Sequence, residues 1–204
     1  MESIRRFPAG AADRICVFCG SSAGTNDSYA EKARELGRTL ARRRIAIVYG
    51  GGGAGLMGAL ADAALDAGGE VIGVIPWALQ RREIAHRALT RLEVVSSMHE
   101  RKARMAELAS GFVALPGGMG TLEELAEVLT WAQLGVHAKP TALVDVAGYY
   151  RPLVAFLDQA VAHGFLRPEH RALLLVADGA EEVLQAFASW RPPPLERWID
   201  ERTA

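Results

Sequence analysis

What this chain lacks narrows it first. Its net charge is −1 over 204 residues, so no excess of basic groups draws it to nucleic acid or to an anionic membrane by bulk attraction. No apolar run approaches the roughly 18 residues that a membrane-spanning helix needs. The first residues, "MESIRRFPAGAADR", hold no apolar stretch of signal-peptide length. These absences lead us to expect a cytoplasmic protein with no membrane and no nucleic-acid partner. Cysteine is scarce: Cys16 and Cys19 are the only two. Their C-x-x-C spacing invites a redox or zinc reading, but no second pair completes a zinc site. They also lie in an apolar stretch of strand character, where residues three apart face opposite sides. Both are expected to be core side chains. Internal repeats and interdomain linkers are missing too.

What is plentiful is glycine, at 21 residues, and it is clustered. Half the chain is apolar and 23% is charged, an ordinary globular balance with enough length for one sizeable core. Apolar runs of strand length at 15–19, 45–49, 71–75, 92–95, 112–115, 141–144 and 173–176 alternate with helical patterns at 28–43, 56–67, 98–109, 122–134, 150–163 and 180–188. The runs are continuous rather than alternating, as in a parallel sheet covered on both faces. This order predicts an α/β fold, a doubly wound, Rossmann-like parallel sheet in a single domain over 1–204. Residues 1–13 and 191–204 read as peripheral tails.

Ligands of such sheets sit outside the carboxyl ends of the strands, where the strand order reverses. Three strand-end loops are unusual: "CGSSAGTND", "YGGGGAGLMG" and "LPGGMGTLEE". Together they suggest one shared polyanionic ligand. In the second, Gly53, Gly55 and Gly58 fit G-x-G-x-x-G, but the acid that a dinucleotide site needs after the next strand is replaced by Pro76 and Trp77. Phosphate proximity and close helix–strand packing both remain open for this loop. In the first, Gly20 to Gly24 match G-x-S-x-G around Ser22. A nucleophile elbow starts its helix at the serine, whereas here Asn26, Asp27 or Ser28 is the better N-cap. Asp145, His163 and His170 have no placement that supports a triad. Hydroxyls lining a phosphate pocket fit this loop better.

The third loop carries the sharpest signal. Pro116 ends a strand, Gly117, Gly118 and Gly120 permit a tight turn, and Thr121 is an N-cap candidate. Thr121 and Glu124 also fit a T-x-x-E capping box, in which the glutamate would serve only a backbone N–H. Against that stands the setting: N–H groups at a glycine-rich helix start seat an anion, and a carboxylate beside a phosphate suits catalysis. Upstream, Arg101 and Lys102 lie in the first turns of a helix, where cations oppose the dipole; that small cost suggests a bound anion, and a plain solvated face stays open for both, more so for Lys102.

Taken together, "VFCGSS", "VYGGGGAGLMG", "REI", "MHERK", "PGGMGTLEE" and "TWAQLGVHAKP" resemble the Lonely Guy (LOG) family of cytokinin-activating phosphoribohydrolases, long labelled lysine decarboxylases. The resemblance runs from about residue 15 to 188. It implies a homodimer that splits the N-glycosidic bond of cytokinin riboside 5′-monophosphates into free base and ribose 5-phosphate, with AMP as a related substrate and no cofactor or metal. It also implies catalytic roles for Arg101 and Glu124, and a phosphate held by Gly118, Gly120 and Thr121. Glu83, Lys102, Glu123 and Thr130 match substrate-contacting positions, with Gly20, Ser21, Gly51, Gly52 and Gly117 lining the same pocket. Trp77, Met98 and Trp131 are candidates for contact with the base, though side chains of these types are more often simply core. A general purine-nucleotide nucleosidase and a non-catalytic nucleotide- or cofactor-binding module are the other readings. No lysine site for pyridoxal phosphate is recognisable.

Overall fold

The computed structural model describes residues 14–80 and 85–194. Glu83 and the greater part of both expected tails lie outside the described residues. Seven strands form one sheet: β1 (Arg14–Phe18), β2 (Ala46–Tyr49), β3 (Val71–Pro76), β4 (Arg91–Val95), β5 (Gly111–Ala114), β6 (Thr141–Val144) and β7 (Leu174–Ala177). Their order is β4-β3-β2-β1-β5-β6-β7, and every pairing is parallel. The chain winds outward from β1 in one direction, then returns to add β5 on the other side. The crevice between the carboxyl ends of β1 and β5 is therefore the switch point.

The long helices are α1 (Asp27–Arg42), α2 (Gly55–Asp66), α4 (Met98–Leu108), α5 (Met119–Gln133), α6 (Arg151–Ala162) and α8 (Ala180–Ser189). Strand side chains alternate between two core layers. Ile15, Val17 and Cys19 pack on one face with Leu36 and Leu40 of α1, Leu60 of α2 and Val183 of α8. Cys16 and Phe18 pack on the other with Met105 of α4, Leu125 and Val128 of α5, and the partly buried Leu153 and Leu157 of α6. Cys16 and Cys19 thus lie on opposite faces as free thiols, and burial pushes both pKa values up. The doubly wound α/β arrangement agrees with the expected one, with most strand limits shifted by about a residue. Two four-residue helices were not anticipated, α3 (Trp77–Gln80) and α7 (Pro168–Arg171). Each is a single turn and leaves no periodicity to read. Among the described residues, no helix is long and apolar enough to cross a membrane.

Helix starts decide the site, and one of them corrects the sequence reading. Asn26 caps α1 by accepting from Ser28 N at 3.0 Å, so Ser22 lies well upstream of that helix and is no elbow nucleophile. Thr121, however, does not cap α5. That helix begins at Met119 with Gly118 as its cap and no side-chain cap bond. A glycine there turns the chain straight out of the Pro116–Gly117 bend, so the helix starts earlier than a side-chain cap would put it. Thr121 sits inside the first turn and is buried. The T-x-x-E capping box is absent. A closely related arrangement stands at α4 instead, where Ser97 Oγ accepts from Glu100 N at 3.1 Å and the Glu100 carboxylate accepts from Ser96 N at 2.7 Å. Ser97→Ala should cost about 0.5–2 kcal/mol in denaturant melts, whereas Thr121→Ser, with no cap to disturb, should cost less.

Candidate active site

Three backbone hydrogen bonds draw the sheet-end loops together. Leu115 N donates to Phe18 O at 2.9 Å, Gly20 N to Pro116 O at 3.0 Å, and Leu56 N to Gly20 O at 3.1 Å. Gly20 thus links the loop after β5 to the start of α2. The G-x-G-x-x-G glycines serve this packing. Gly55 has a positive φ of 61° and lies against the Ser21 backbone, while a side chain at Gly58 would meet Gly53 O. Close helix–loop packing therefore accounts for Gly55 and Gly58. Gly51 and Gly52 are buried. Their loop is held by His86 N donating to Gly51 O at 3.0 Å and Tyr49 Oη donating to Gly52 O at 3.1 Å. Ser21, Gly53 and Ala54 are exposed on the accessible side.

The "LPGGMGTLEE" segment then presents the opening turn of α5 to this crevice. The first N–H groups of any helix lack intrahelical acceptors, and here no side chain caps them. Gly117 is required by its neighbour, since a Cβ there would lie 2.1 Å from Thr121 Oγ1. Gly118 and Gly120 are different: a Cβ on either would meet nothing within 4 Å. No protein packing asks for glycine at those two positions, and the space beside them is open to a ligand.

Six residues beyond Gly118, on the inner face of α5, stands Glu124, 7% exposed. Arg101 reaches it from α4 and is equally buried, at 6%. Arg101 Nη1 lies 3.7 Å from Glu124 Oε1, too long for a hydrogen bond but close for a charge pair. Arg101 Nε donates to Val74 O at 3.1 Å, which anchors the guanidinium over the end of β3. The other side of the guanidinium rests on Gly50, where a Cβ would lie only 2.0 Å from Nη2. Glu124 is pushed up to about 7, first by burial; Arg101 opposes the rise and Glu123 adds to it. A carboxylate poised near neutrality between an arginine and an uncapped helix start can take up and release a proton under ordinary conditions.

Lys102 lies beside this pair without joining it. Its ammonium pairs with Glu123 and with Glu127 at 3.0 Å, tying α4 to α5. Glu127 is a residue that sequence reasoning missed, although its place four residues after Glu123 on one helix face was visible. Thr130 is not brought to the Arg101–Glu124 pair. It lies on the exposed face of α5 shared with Glu123 and Glu127, and its hydroxyl donates to Ala126 O at 2.7 Å. Of the base-contact candidates, Trp131 packs against the core, while Trp77 and Met98 are 58% and 42% exposed. Gly50 was missed as well, although the four consecutive glycines 50–53 were in plain view. Among the described residues, no group of three or more His, Cys, Asp or Glu side chains is placed to hold a metal ion.

Comparison with known proteins identifies the family. Residues 57–187 match the family model described as "Possible lysine decarboxylase". A cytokinin riboside 5′-monophosphate phosphoribohydrolase of Arabidopsis thaliana is 50% identical, over 88% of this chain and 82% of its own length. Another, from Oryza sativa subsp. japonica, is 49% identical over 88% and 74%. Among solved structures, the molybdenum cofactor carrier protein of Chlamydomonas reinhardtii aligns at a TM-score of 0.65 and 24% identity, covering 85% of this chain and 94% of that one. The molybdenum cofactor binding protein of Rippkaea orientalis aligns at 0.68 and 20%, covering 89% and 98%. These two likenesses speak for the fold alone. The extent of the family match and the half-identity to curated relatives together place this chain in the LOG family, whose model bears the lysine decarboxylase description.

Proposed function

We propose that this protein hydrolyses the N-glycosidic bond of cytokinin riboside 5′-monophosphates, releasing the free base and ribose 5-phosphate, with AMP as a further substrate. What carries the reading is the buried Arg101–Glu124 pair beside the uncapped, glycine-lined start of α5. A 5′-phosphate seated on that helix start leaves the anomeric carbon on the Glu124 side. As the bond from C1′ to the base nitrogen breaks, its electron pair leaves with the base, which takes up a proton. Positive charge builds on the ribose, as in the oxocarbenium-like transition states of glycoside hydrolysis. Ionised Glu124 stabilises that charge and accepts a proton from the water that adds to C1′. Arg101 keeps the glutamate in place and, with Gly118, Gly120 and Thr121, faces the phosphate. Gly20, Ser21, Gly51, Gly52, Gly117, Lys102, Glu123 and Thr130 complete the proposed substrate-binding set, and Glu83 belongs to it by resemblance. We further propose that the enzyme works as a homodimer in the cytoplasm. Sedimentation giving a monomer at micromolar concentration would remove the dimer.

The decarboxylase description finds no chemical support in the lysines. The chain has three, Lys32, Lys102 and Lys139. A Schiff-base lysine must be able to lose its proton. Lys102 is held charged, its pKa raised first by the hydrogen bond to Glu123 and also by Glu127. Lys32 pairs with Glu35 at 2.7 Å, and Lys139 Nζ donates to Ala106 O at 2.7 Å.

Binding of the phosphate, remote from the breaking bond, positions the ribose. Monophosphates should therefore be cleaved with kcat/KM at least about 100-fold above the matching nucleosides. Mass spectrometry of released adenine and isopentenyladenine measures this and separates an enzyme from a mere binder. Equal turnover of nucleoside and monophosphate would sink the phosphate-anchoring account, and no free base from any of them would sink the hydrolase.

A further inference from the structure

The segment "VDVAGYY" joins β6 to α6 and lays two tyrosines against the loop that precedes α5. Tyr150 is buried, and its hydroxyl donates to Leu115 O at 2.7 Å. Tyr149 is 41% exposed, and its hydroxyl donates to Gly117 O at 2.5 Å. The turn that aims them is built with effort. Ala147 and Gly148 both have positive φ, 53° and 77°, a region that is costly for the alanine. Asp145 Oδ1 accepts from Tyr150 N at 2.8 Å, and Tyr149 N donates to Val146 O at 3.1 Å. The Tyr149 ring is further held edge-on between Tyr29, at 5.8 Å, and Tyr150, at 5.0 Å.

The peptide geometry gives these contacts a consequence. Across a trans peptide, the carbonyl and the following N–H point in opposite directions. With Gly20 N on Pro116 O, the Gly117 N–H is turned away from Gly20. With Tyr149 on Gly117 O, the Gly118 N–H is turned away from Tyr149. Glycine at 117 and 118 leaves this stretch free to rotate unless something holds each peptide plane. Tyr150 and Gly20 fix the first two planes and Tyr149 fixes the third, while the next, between Gly118 and Met119, is already held by the helix through Leu122 N donating to Gly118 O at 3.1 Å. Stability alone does not call for this bond. An exposed tyrosine and an exposed carbonyl would each find water almost as good a partner.

We propose that Tyr149 is a positioning residue for the 5′-phosphate: by holding the Gly117 carbonyl it presets the Gly118 N–H toward the anion. This rests on the phosphate being seated at the start of α5. The test compares wild type with Tyr149→Phe, which keeps the ring contacts and removes only the hydroxyl. Protection against thermal unfolding by ribose 5-phosphate reads binding without catalysis, and steady-state kinetics on AMP and adenosine read the rest. Removing one orienting hydrogen bond should weaken ribose 5-phosphate binding and raise KM for AMP by about tenfold. The effect should fall on KM rather than kcat, and the preference for AMP over adenosine should shrink by the same factor. The melting temperature without ligand should stay within about 2 °C. If wild type is protected and Y149F is protected equally, Tyr149 positions nothing and the proposal falls. A large loss of melting temperature with equal losses on AMP and adenosine overturns it too, since Tyr149 would then be merely structural. If ribose 5-phosphate fails to protect even wild type, the phosphate seat itself is wrong.

Discussion

Glu124→Gln should give a protein that is more stable than wild type at pH 8 and close to inactive. Glutamine copies the protonated acid in size and hydrogen bonding, and removes only the ability to ionise. Burial of Glu124 favours that protonated form, with a pKa of about 7 against 4.5 for an ordinary glutamate. The sign follows directly. Below pH about 4.5 the carboxyl is protonated whether the chain is folded or not, and the mutation changes little. Between 4.5 and 7 the unfolded chain has released a proton that the folded protein still holds. Above 7 the folded protein must keep a buried carboxylate ionised. The stability conferred by the raised pKa is thus lost as pH rises through 7, and glutamine restores of the order of 3 kcal/mol there. For a chain of this length that amounts to about 5–10 °C in melting temperature at pH 8, with no gain near pH 4.5. Turnover should fall about 10²–10⁴-fold. The wild-type kcat/KM should rise with pH through about 7, because ionised Glu124 is the active form. Scanning calorimetry at both pH values, beside the rate assay, checks the account. An E124Q protein as active as wild type removes the catalytic role. One that is inactive but no more stable at pH 8 leaves catalysis standing and refutes the raised pKa.

The expected gain in stability also shows why a capping reading of Glu124 was tempting from sequence and fails in structure. T-x-x-E is a local pattern, and it competes with a reading that depends on two helices meeting. The sheet was legible because its strands are continuous apolar runs bounded by glycine and proline. The loops were legible because glycine clusters are rare and sat at strand ends. The start of α5 was misplaced by three residues because Gly118 caps with its backbone, which leaves no side-chain signature. The ties of Lys102 to Glu123 and Glu127, which join α4 to α5, were hidden as well, because they cross 21 and 25 residues of chain and no periodicity encodes them. Burial of Arg101 was hidden for the same reason. Its position is set by Val74 O on one side and by Gly50 on the other, residues 27 and 51 positions away in the chain. Tyr149 and Tyr150 carry a visible signal, a tyrosine pair after a turn-forming Ala-Gly. Their role emerges only once β6 is known to lie beside β5.

Gly50 provides the sharper test of how the site is assembled, because a side chain there would meet the Arg101 guanidinium first. Its backbone φ is not in the left-handed region, so alanine is conformationally acceptable. The added methyl, however, would stand 2.0 Å from Arg101 Nη2 and 3.2 Å from its Cζ. The guanidinium is the mobile end of a long side chain, so it can retreat by about 1 Å or more and the fold survives. It cannot retreat freely, since Nε is bound to Val74 O and the group is buried. A catalytic constellation displaced by this distance loses about 10²-fold in rate, and we expect Gly50→Ala to lose that much in kcat/KM. Arg101 lowers the Glu124 pKa, so its displacement should also move the pH–rate profile to higher pH. The decisive measurement is a double-mutant cycle with Arg101→Ala. If Gly50 acts only by leaving room for the guanidinium, G50A should cost almost nothing further in the R101A background. Additive losses would mean that Gly50 serves the site by another route. A G50A protein with wild-type rates would mean that the guanidinium position is not used at all.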